Sequence, residues 1–113
     1  MARKPTAPVP VERSPVLSAI EQLGRLIQTG TPAARMTRAA RGIACRWRAT
    51  ADANAAREWI TTLHADLVSG AVEAEEQVGN VDRSDAGEAR QADATLAAIH
   101  AARDTLAAEL VRP

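Results

Sequence analysis

The amino-acid sequence predicts an all-α protein, a small helical bundle of three to four helices with a long antiparallel αα-hairpin in its C-terminal half. Apolar residues recur every three or four positions over most of the chain after residue 14, which is the spacing of one helix face. Residues that start and stop helices divide these stripes into segments. Strand-like alternation of apolar and polar residues is confined to the proline-rich N-terminus.

Length and composition predict one domain with a thin core. A chain of 113 residues fits a single domain, which we place at residues 14–113. It contains 25 large apolar residues, 26 alanines and no Phe or Tyr. Alanine lets helices approach closely but buries little area, so we expect association with a larger partner or another copy to add stability.

Residues 1–13 are predicted to form a flexible tail. Pro5, Pro8 and Pro10 remove backbone donors and favour extended conformations over a helix. The segment has no aromatic anchor that would stabilise docking, so a disordered leader is favoured over a partner-binding strip.

The first predicted helix spans about residues 15–29. Ser14 and Pro15 are typical of an N-cap followed by the first helical residue, and Gly30 is typical of the left-handed residue that follows a helix. The apolar stripe along this segment consists of Val16, Ile20, Leu23 and Ile27, with Leu17 and Leu26 on its flanks.

The second predicted helix lies within residues 31–50, where Thr31 and Pro32 repeat the start signal. No acid occurs in this stretch. At about 100° per residue, one side of the helix carries the apolar residues and the other the arginines. The apolar stripe is Met36, Ala40, Ile43 and Trp47, and the arginine face is Arg35, Arg38, Arg41, Arg46 and Arg48.

The third and fourth predicted helices form the hairpin, which is centred near Asp82. The stripe from Ala56 to Val78 is out of phase with that of the second helix by about 160–200°, which favours a kink or short turn near residues 49–53 over one continuous helix. Gly79 and Asn80 predict the end of the third helix. The last helix is predicted to begin at an Asp85 N-cap and to run to about residue 111, with Ala89, Ala92, Leu96, Ile99, Leu106 and Leu110 on its stripe.

The charges are unevenly distributed along the chain. Residues 1–51 hold nine Lys or Arg and two acids, whereas residues 52–113 hold five Arg and twelve acids, so the halves carry +7 and −7. This asymmetry indicates a basic surface for nucleic acid or acidic protein, or two halves that neutralise each other on folding. The sequence shows no signal peptide and no long apolar run, so we expect a cytoplasmic protein without membrane contact.

No enzyme, cofactor, metal or small-molecule site is predicted. Cys45 is the single cysteine, and His64 and His100 have no third or fourth ligand at a recognisable spacing. The glycines occur singly, so there is no phosphate-binding loop. We therefore expect a binding or structural role.

The arginine face is the strongest functional signal. Guanidinium groups stay charged and match phosphate oxygens, so their row predicts a sequence-independent surface for a nucleic-acid backbone. The competing interpretation is a solvated face, or one paired with acids of the later helices. Trp47 is a candidate interface residue that would stack on bases, although its place beside Ile43 favours core packing. Arg103 lies within the last apolar stripe, so it must reach solvent, pair with an acid such as Glu58, or face an interface.

These features predict a small helical subunit of a larger assembly that contacts RNA or single-stranded DNA through its arginine face. In size, helicity and basic face the chain resembles the small helical subunits of CRISPR ribonucleoprotein effectors, by analogy only and without a shared motif. The alternative is a protein-interaction module, an adaptor, chaperone or inhibitor, that docks on an acidic protein surface or on a second copy of itself.

Overall fold

The computed structural model describes residues 14–112, which form four helices. They are α1 (Pro15–Gln28), α2 (Ala33–Thr50), α3 (Ala53–Asn80) and α4 (Ala86–Leu110). No strand occurs in this part of the chain. The predicted fold class is therefore confirmed. The predicted tail at residues 1–13 lies outside the described residues.

The corner between α1 and α2 is closed by backbone hydrogen bonds. Ser14 caps α1, and its Oγ accepts from the backbone N–H of Val16 at 3.0 Å. Gly30 has a φ of 77°, and the N–H groups of Gly30 and Thr31 donate to the carbonyls of Ile27 and Leu26, as in a Schellman motif. Both caps agree with the sequence prediction.

The start of α2 differs from the prediction. Thr31 already completes the end of α1, so α2 begins after it, with Pro32 in the N-cap position. Pro32 has an extended ψ of 155° and offers no side-chain acceptor, which leaves the first turn of α2 without a side-chain cap.

The predicted break between the second and third helices is confirmed. α2 ends at Thr50, and Ala51 and Asp52 both have extended backbone conformations before α3 begins. Asp52 caps α3, since its Oδ1 accepts from the N–H of Ala55 at 2.9 Å. This two-residue break allows the apolar stripes of α2 and α3 to face one core.

The hairpin between α3 and α4 differs from the prediction at its first cap. α3 ends at Asn80, where the Gly79–Asn80 signal predicts, but no glycine cap closes it, because Gly30 is the one described glycine with a positive φ. Arg83 replaces a glycine cap, because its Nη2 donates to the Val78 carbonyl at 3.1 Å. Asp85 is the N-cap of α4, as predicted, and accepts from the N–H of Glu88 at 3.1 Å.

Asp82 organises the turn of this hairpin. Its Oδ1 accepts from the Ser84 hydroxyl at 2.7 Å and from the Ser84 N–H at 2.9 Å. These two hydrogen bonds lower the pKa of Asp82 below its ordinary value, the hydroxyl bond being the larger cause.

All four helices contribute to one buried cluster. The predicted stripe of α2 is buried at every position, and so is the stripe of α3 from Ala56 to Ala74. On α1, by contrast, Leu17 is exposed. Among the described residues, no helix is long and apolar enough to cross a membrane.

α4 buries two faces. One is the predicted stripe, whose centre includes Ile99 and Leu106. The other consists of Ala98, Ala102, Thr105 and Glu109, spaced by four, three and four residues. This second face leads to α2, because Glu109 contacts Arg48. α4 therefore packs against both α3 and α2, and it holds α2 in place.

Candidate functional site

The arginine face lies on the outer side of α2. Met36, Ala40 and Ile43 are at most 1% exposed and fix the inner side of the helix against the core. The five arginines of the predicted site are all exposed. The helix therefore presents its basic side to solvent, in the orientation that the helical period predicts.

One arginine of this face is used to hold the fold together. Arg48 Nη1 donates to the Glu109 carboxylate, and Nη2 donates to the Glu109 carbonyl oxygen at 2.6 Å. Arg112 Nη1 donates to the two carboxylate oxygens at 3.2 and 3.3 Å. The Glu109 side chain is only 8% exposed, so these contacts compensate the burial of its charge.

The other four arginines, Arg35, Arg38, Arg41 and Arg46, make no ion pair or side-chain hydrogen bond with any residue of 14–112. Several acids of the second half have partners elsewhere: Asp93 binds Arg83, Asp104 binds Arg103, and Glu75 contacts His100. Neutralisation of the arginine face by the acidic half is thus limited, within the described residues, to Arg48.

A positively charged cleft of about 290 Å³ lies where α2 meets the end of α4. Its lining holds three guanidinium groups, one carboxylate and the thiol of Cys45, and Cys45 is exposed. Two of the guanidinium groups are held by Glu109, whereas that of Arg41 has no partner in the described chain. The lining residues are Arg41, Cys45, Arg48, Glu109 and Arg112.

Trp47 lies in the core and not on the arginine face. It is 5% exposed, and its ring meets that of Trp59 edge to face, with 5.7 Å between the centroids. Trp47 therefore has no free ring face on which a base could stack. The structure thus supports the core-packing interpretation, and the nucleic-acid hypothesis must rest on the arginines alone.

Arg103 is partly exposed and pairs with its neighbour Asp104, not with Glu58. Its Nε and Nη2 both lie 3.0 Å from Asp104 Oδ1. Adjacent helical residues point about 100° apart, but the long arginine side chain turns along the helix surface and closes that gap. Contact of Arg103 with another subunit stays a prediction.

The histidines form no metal site in the described part of the chain. His100 Nε2 lies 3.3 Å from Glu75 Oε2, which joins α4 to α3. No group of three or more His, Cys, Asp or Glu side chains within residues 14–112 is arranged to hold a metal ion.

Sequence reasoning missed Glu109 and Arg112 as parts of the site. Glu109 is a charged residue in a buried position, and helical periodicity assigns such residues to solvent. The available signal was its four-residue spacing from Thr105, which continues a stripe of small residues. Arg57 was missed because its contact joins residues far apart in the chain; this exposed side chain donates through Nη1 to the Leu110 carbonyl at 3.0 Å and helps to cap α4.

Comparison with known proteins gives no match to any family model, curated protein or solved structure.

Proposed function

We propose that this chain is a small helical subunit of a larger assembly, and that it binds the backbone of RNA or single-stranded DNA through Arg35, Arg38, Arg41 and Arg46. The observation that carries the proposal is that these arginines are exposed and have no ion-pair partner within residues 14–112. Guanidinium groups in this state bind phosphate oxygens without first breaking an internal salt bridge.

The spacing of these arginines suits a backbone contact. Arg35 and Arg46 are eleven residues apart, which is about 16 Å along a helix axis. No acid lies on α2 to interrupt the row. The cleft beside Arg41 extends the basic surface towards Arg112. Such a surface recognises phosphates regardless of base sequence, so the expected binding is non-specific and sensitive to salt.

Fluorescence anisotropy with a labelled random-sequence oligonucleotide tests the proposal. If four arginines each neutralise one phosphate of a single strand, the slope of log K against log salt is about −3, and binding weakens by about fifty-fold between 50 and 200 mM salt. Replacing Arg38 and Arg41 together by Glu should abolish binding. No detectable binding of the wild type at low salt would refute the proposal.

A charge-matched control separates the arginine face from net charge. Arg25→Glu makes the same charge change as Arg38→Glu on an exposed arginine of α1. The expected result is a large loss for Arg38→Glu and a small one for Arg25→Glu. Equal losses would mean that overall charge, and not this face, governs binding.

Cys45 provides a second readout, because it is the single cysteine and lies exposed in the cleft between Arg41 and Arg48. A bound strand should slow alkylation of Cys45 by a maleimide, and added salt should restore the rate. Binding without protection of Cys45 would contradict a path that crosses this part of α2.

Self-association is a second candidate function, favoured by a specific observation. The outer side of α3 exposes Val68 and Val72 beside Asp66, Glu73 and Glu76, and these acids have no ion-pair partner in the described chain. An acidic and partly apolar helix of one copy complements the arginine face of another. Light scattering across concentration tests this, and a monomer at high concentration would exclude it.

A further inference from the structure

A groove of about 400 Å³, with a mainly apolar surface and hydrogen-bonding side chains around it, lies between the α1–α2 corner and the first half of α4. Its size falls in the range of pockets that hold one small organic group. No acid lines it. The hydrogen-bonding side chains around it are Gln28, Thr29, Thr31, Arg90, Gln91 and Thr95.

The groove lies beside the basic surface. A second hollow, of about 340 Å³, is lined by Arg35 and Arg38 together with Leu26, Thr31 and Ala39. Thr31 lines both, so the two hollows meet at the corner. A polymer whose phosphates lay on Arg35 and Arg38 would therefore run close to the groove.

Two of the side chains at the groove are available for a ligand, whereas the Thr29 hydroxyl donates to the Leu26 carbonyl and lies 3.4 Å from the Thr31 hydroxyl. Arg90 and Gln91 are exposed, and neither makes a side-chain hydrogen bond with another described residue. Ile27 and Ala94 add apolar surface to the same lining. Flat apolar faces with polar edges are the chemistry of a nucleobase, which stacks on apolar groups or guanidinium planes and presents donors and acceptors at its rim.

We infer that this groove holds one unstacked base of a single-stranded nucleic acid whose phosphates lie on Arg35 and Arg38. The inference rests on the proposed function and narrows it to single strands, because a base inside a duplex is stacked on both faces and paired through its Watson–Crick edge, so it cannot enter the groove. Arg90 and Gln91 contact the base, and Thr95 lies beside the edge of the base. The chain therefore selects single strands over duplexes.

Filling the groove tests this inference without changing any charge. Gly87 lines the groove, and a Cβ at this position makes an ordinary 3.5 Å contact with Asp85 Oδ1. Gly87→Leu should block entry of a base while leaving the arginine face intact. The matched control is Gly79→Leu, since Gly79 is also helical, has open space at its Cβ and is absent from the groove lining.

Two further variants test the chemistry of the groove. Gln91→Ala removes hydrogen-bonding groups, and Arg90→Lys keeps the charge but removes the planar guanidinium. Because a single hydrogen bond is typically worth about two- to tenfold in affinity, each variant should weaken single-strand binding by a factor in that range. The slope of log K against log salt should stay unchanged, since no phosphate contact is lost.

The probes are single-stranded RNA, single-stranded DNA of the same sequence, their duplex and an inorganic polyphosphate that has no bases. The wild type should bind the two single strands more tightly than the duplex and the polyphosphate. The single strand that binds more tightly shows whether the ligand is RNA or DNA. The groove variants should weaken single-strand binding alone. If Arg38→Glu abolishes binding while Gly87→Leu and Gln91→Ala leave it unchanged, the base groove is refuted and the backbone contact stands. If the wild type binds none of the probes, the proposed function itself is refuted.

Discussion

Removing Arg48 is expected to destabilise the fold more than removing the charge of Glu109. The Glu109 side chain is 8% exposed, whereas that of Arg48 is 36% exposed. Arg48→Met therefore leaves a carboxylate that water reaches poorly, while it keeps an apolar stem in place. Glu109→Gln instead leaves the Arg48 guanidinium, which can turn into solvent, so this substitution should lower the free energy of unfolding by less than Arg48→Met.

The magnitude follows from the contacts that each variant removes. Arg48→Met removes one hydrogen bond to the Glu109 carboxylate and one to its carbonyl oxygen. Hydrogen bonds to charged groups contribute about 1.5–3 kcal/mol each, but solvent screening of the partly exposed Arg48 reduces this. Arg112 still donates to both carboxylate oxygens. We expect Arg48→Met to cost about 2–3 kcal/mol and Glu109→Gln about 1 kcal/mol.

Urea unfolding followed by circular dichroism measures both costs. With a slope of about 1–3 kcal/mol per molar urea, a cost of about 2–3 kcal/mol lowers the midpoint for Arg48→Met by about 0.7–3 M. The double variant Arg48→Met with Glu109→Gln removes both charges and should cost less than the two single variants together, since no buried carboxylate is left without its partner. Equal costs for the two single variants, or a double variant as unstable as their sum, would refute the reasoning.

Three further predictions concern the helices and their turns. Gly24→Ala should raise the free energy of unfolding by about 1 kcal/mol, because Gly24 lies inside α1 with open space at its Cβ. Gly30→Ala should lower the free energy of unfolding by about 1 kcal/mol, because Gly30 has a positive φ that alanine adopts only with strain. Thermal unfolding should show Tm shifts of opposite sign for these two variants, and shifts of one sign would contradict the assignment. Ser84→Ala should raise the pKa of Asp82 towards its ordinary value, because it removes the largest cause of the lowering; NMR titration of the Asp82 carboxyl carbon measures this. The pKa of Asp82 is lower in the folded state than in the unfolded state, so the ionised carboxylate stabilises the wild type above about pH 4. This contribution disappears as the pH falls through the folded-state pKa. The Ser84→Ala variant should therefore lose less stability than the wild type on acidification.

The sequence predicted those parts of the fold that depend on local contacts. The caps at Ser14, Gly30 and Asp85 were predicted correctly, since each hydrogen bond joins residues within a few positions. The end of α3 at Asn80 was also predicted, but its glycine cap was wrong, and the start of α2 was displaced by one residue. At Pro32 the neighbouring motif had already used Thr31, and at Gly79 a side chain from beyond the turn satisfied the helix end. Both failures arise from competition between adjacent motifs.

The second buried face of α4 was not predictable from its own stripe. Helical periodicity identifies the face with the largest apolar residues, and on α4 that is the stripe of Ile99 and Leu106. The face with Ala98, Ala102 and Glu109 has little apolar area, and it is buried because α2 packs there. The positions of the five arginines followed from periodicity, but which of them lacks a partner depended on this tertiary contact.

The ion pairs show how the charge asymmetry of the chain persists in the folded molecule. Among pairs between described residues, those of Asp93, Asp104 and Glu75 stay within the acidic half, and the contact of Glu109 with Arg48 alone joins the two halves. α2 therefore remains basic, while the outer side of α3 remains acidic. A polyanion is attracted to the first surface and repelled by the second. Under the proposed function the acids of α3 thus act without touching the strand, because they disfavour its binding on the wrong side of the molecule and leave that side to protein neighbours.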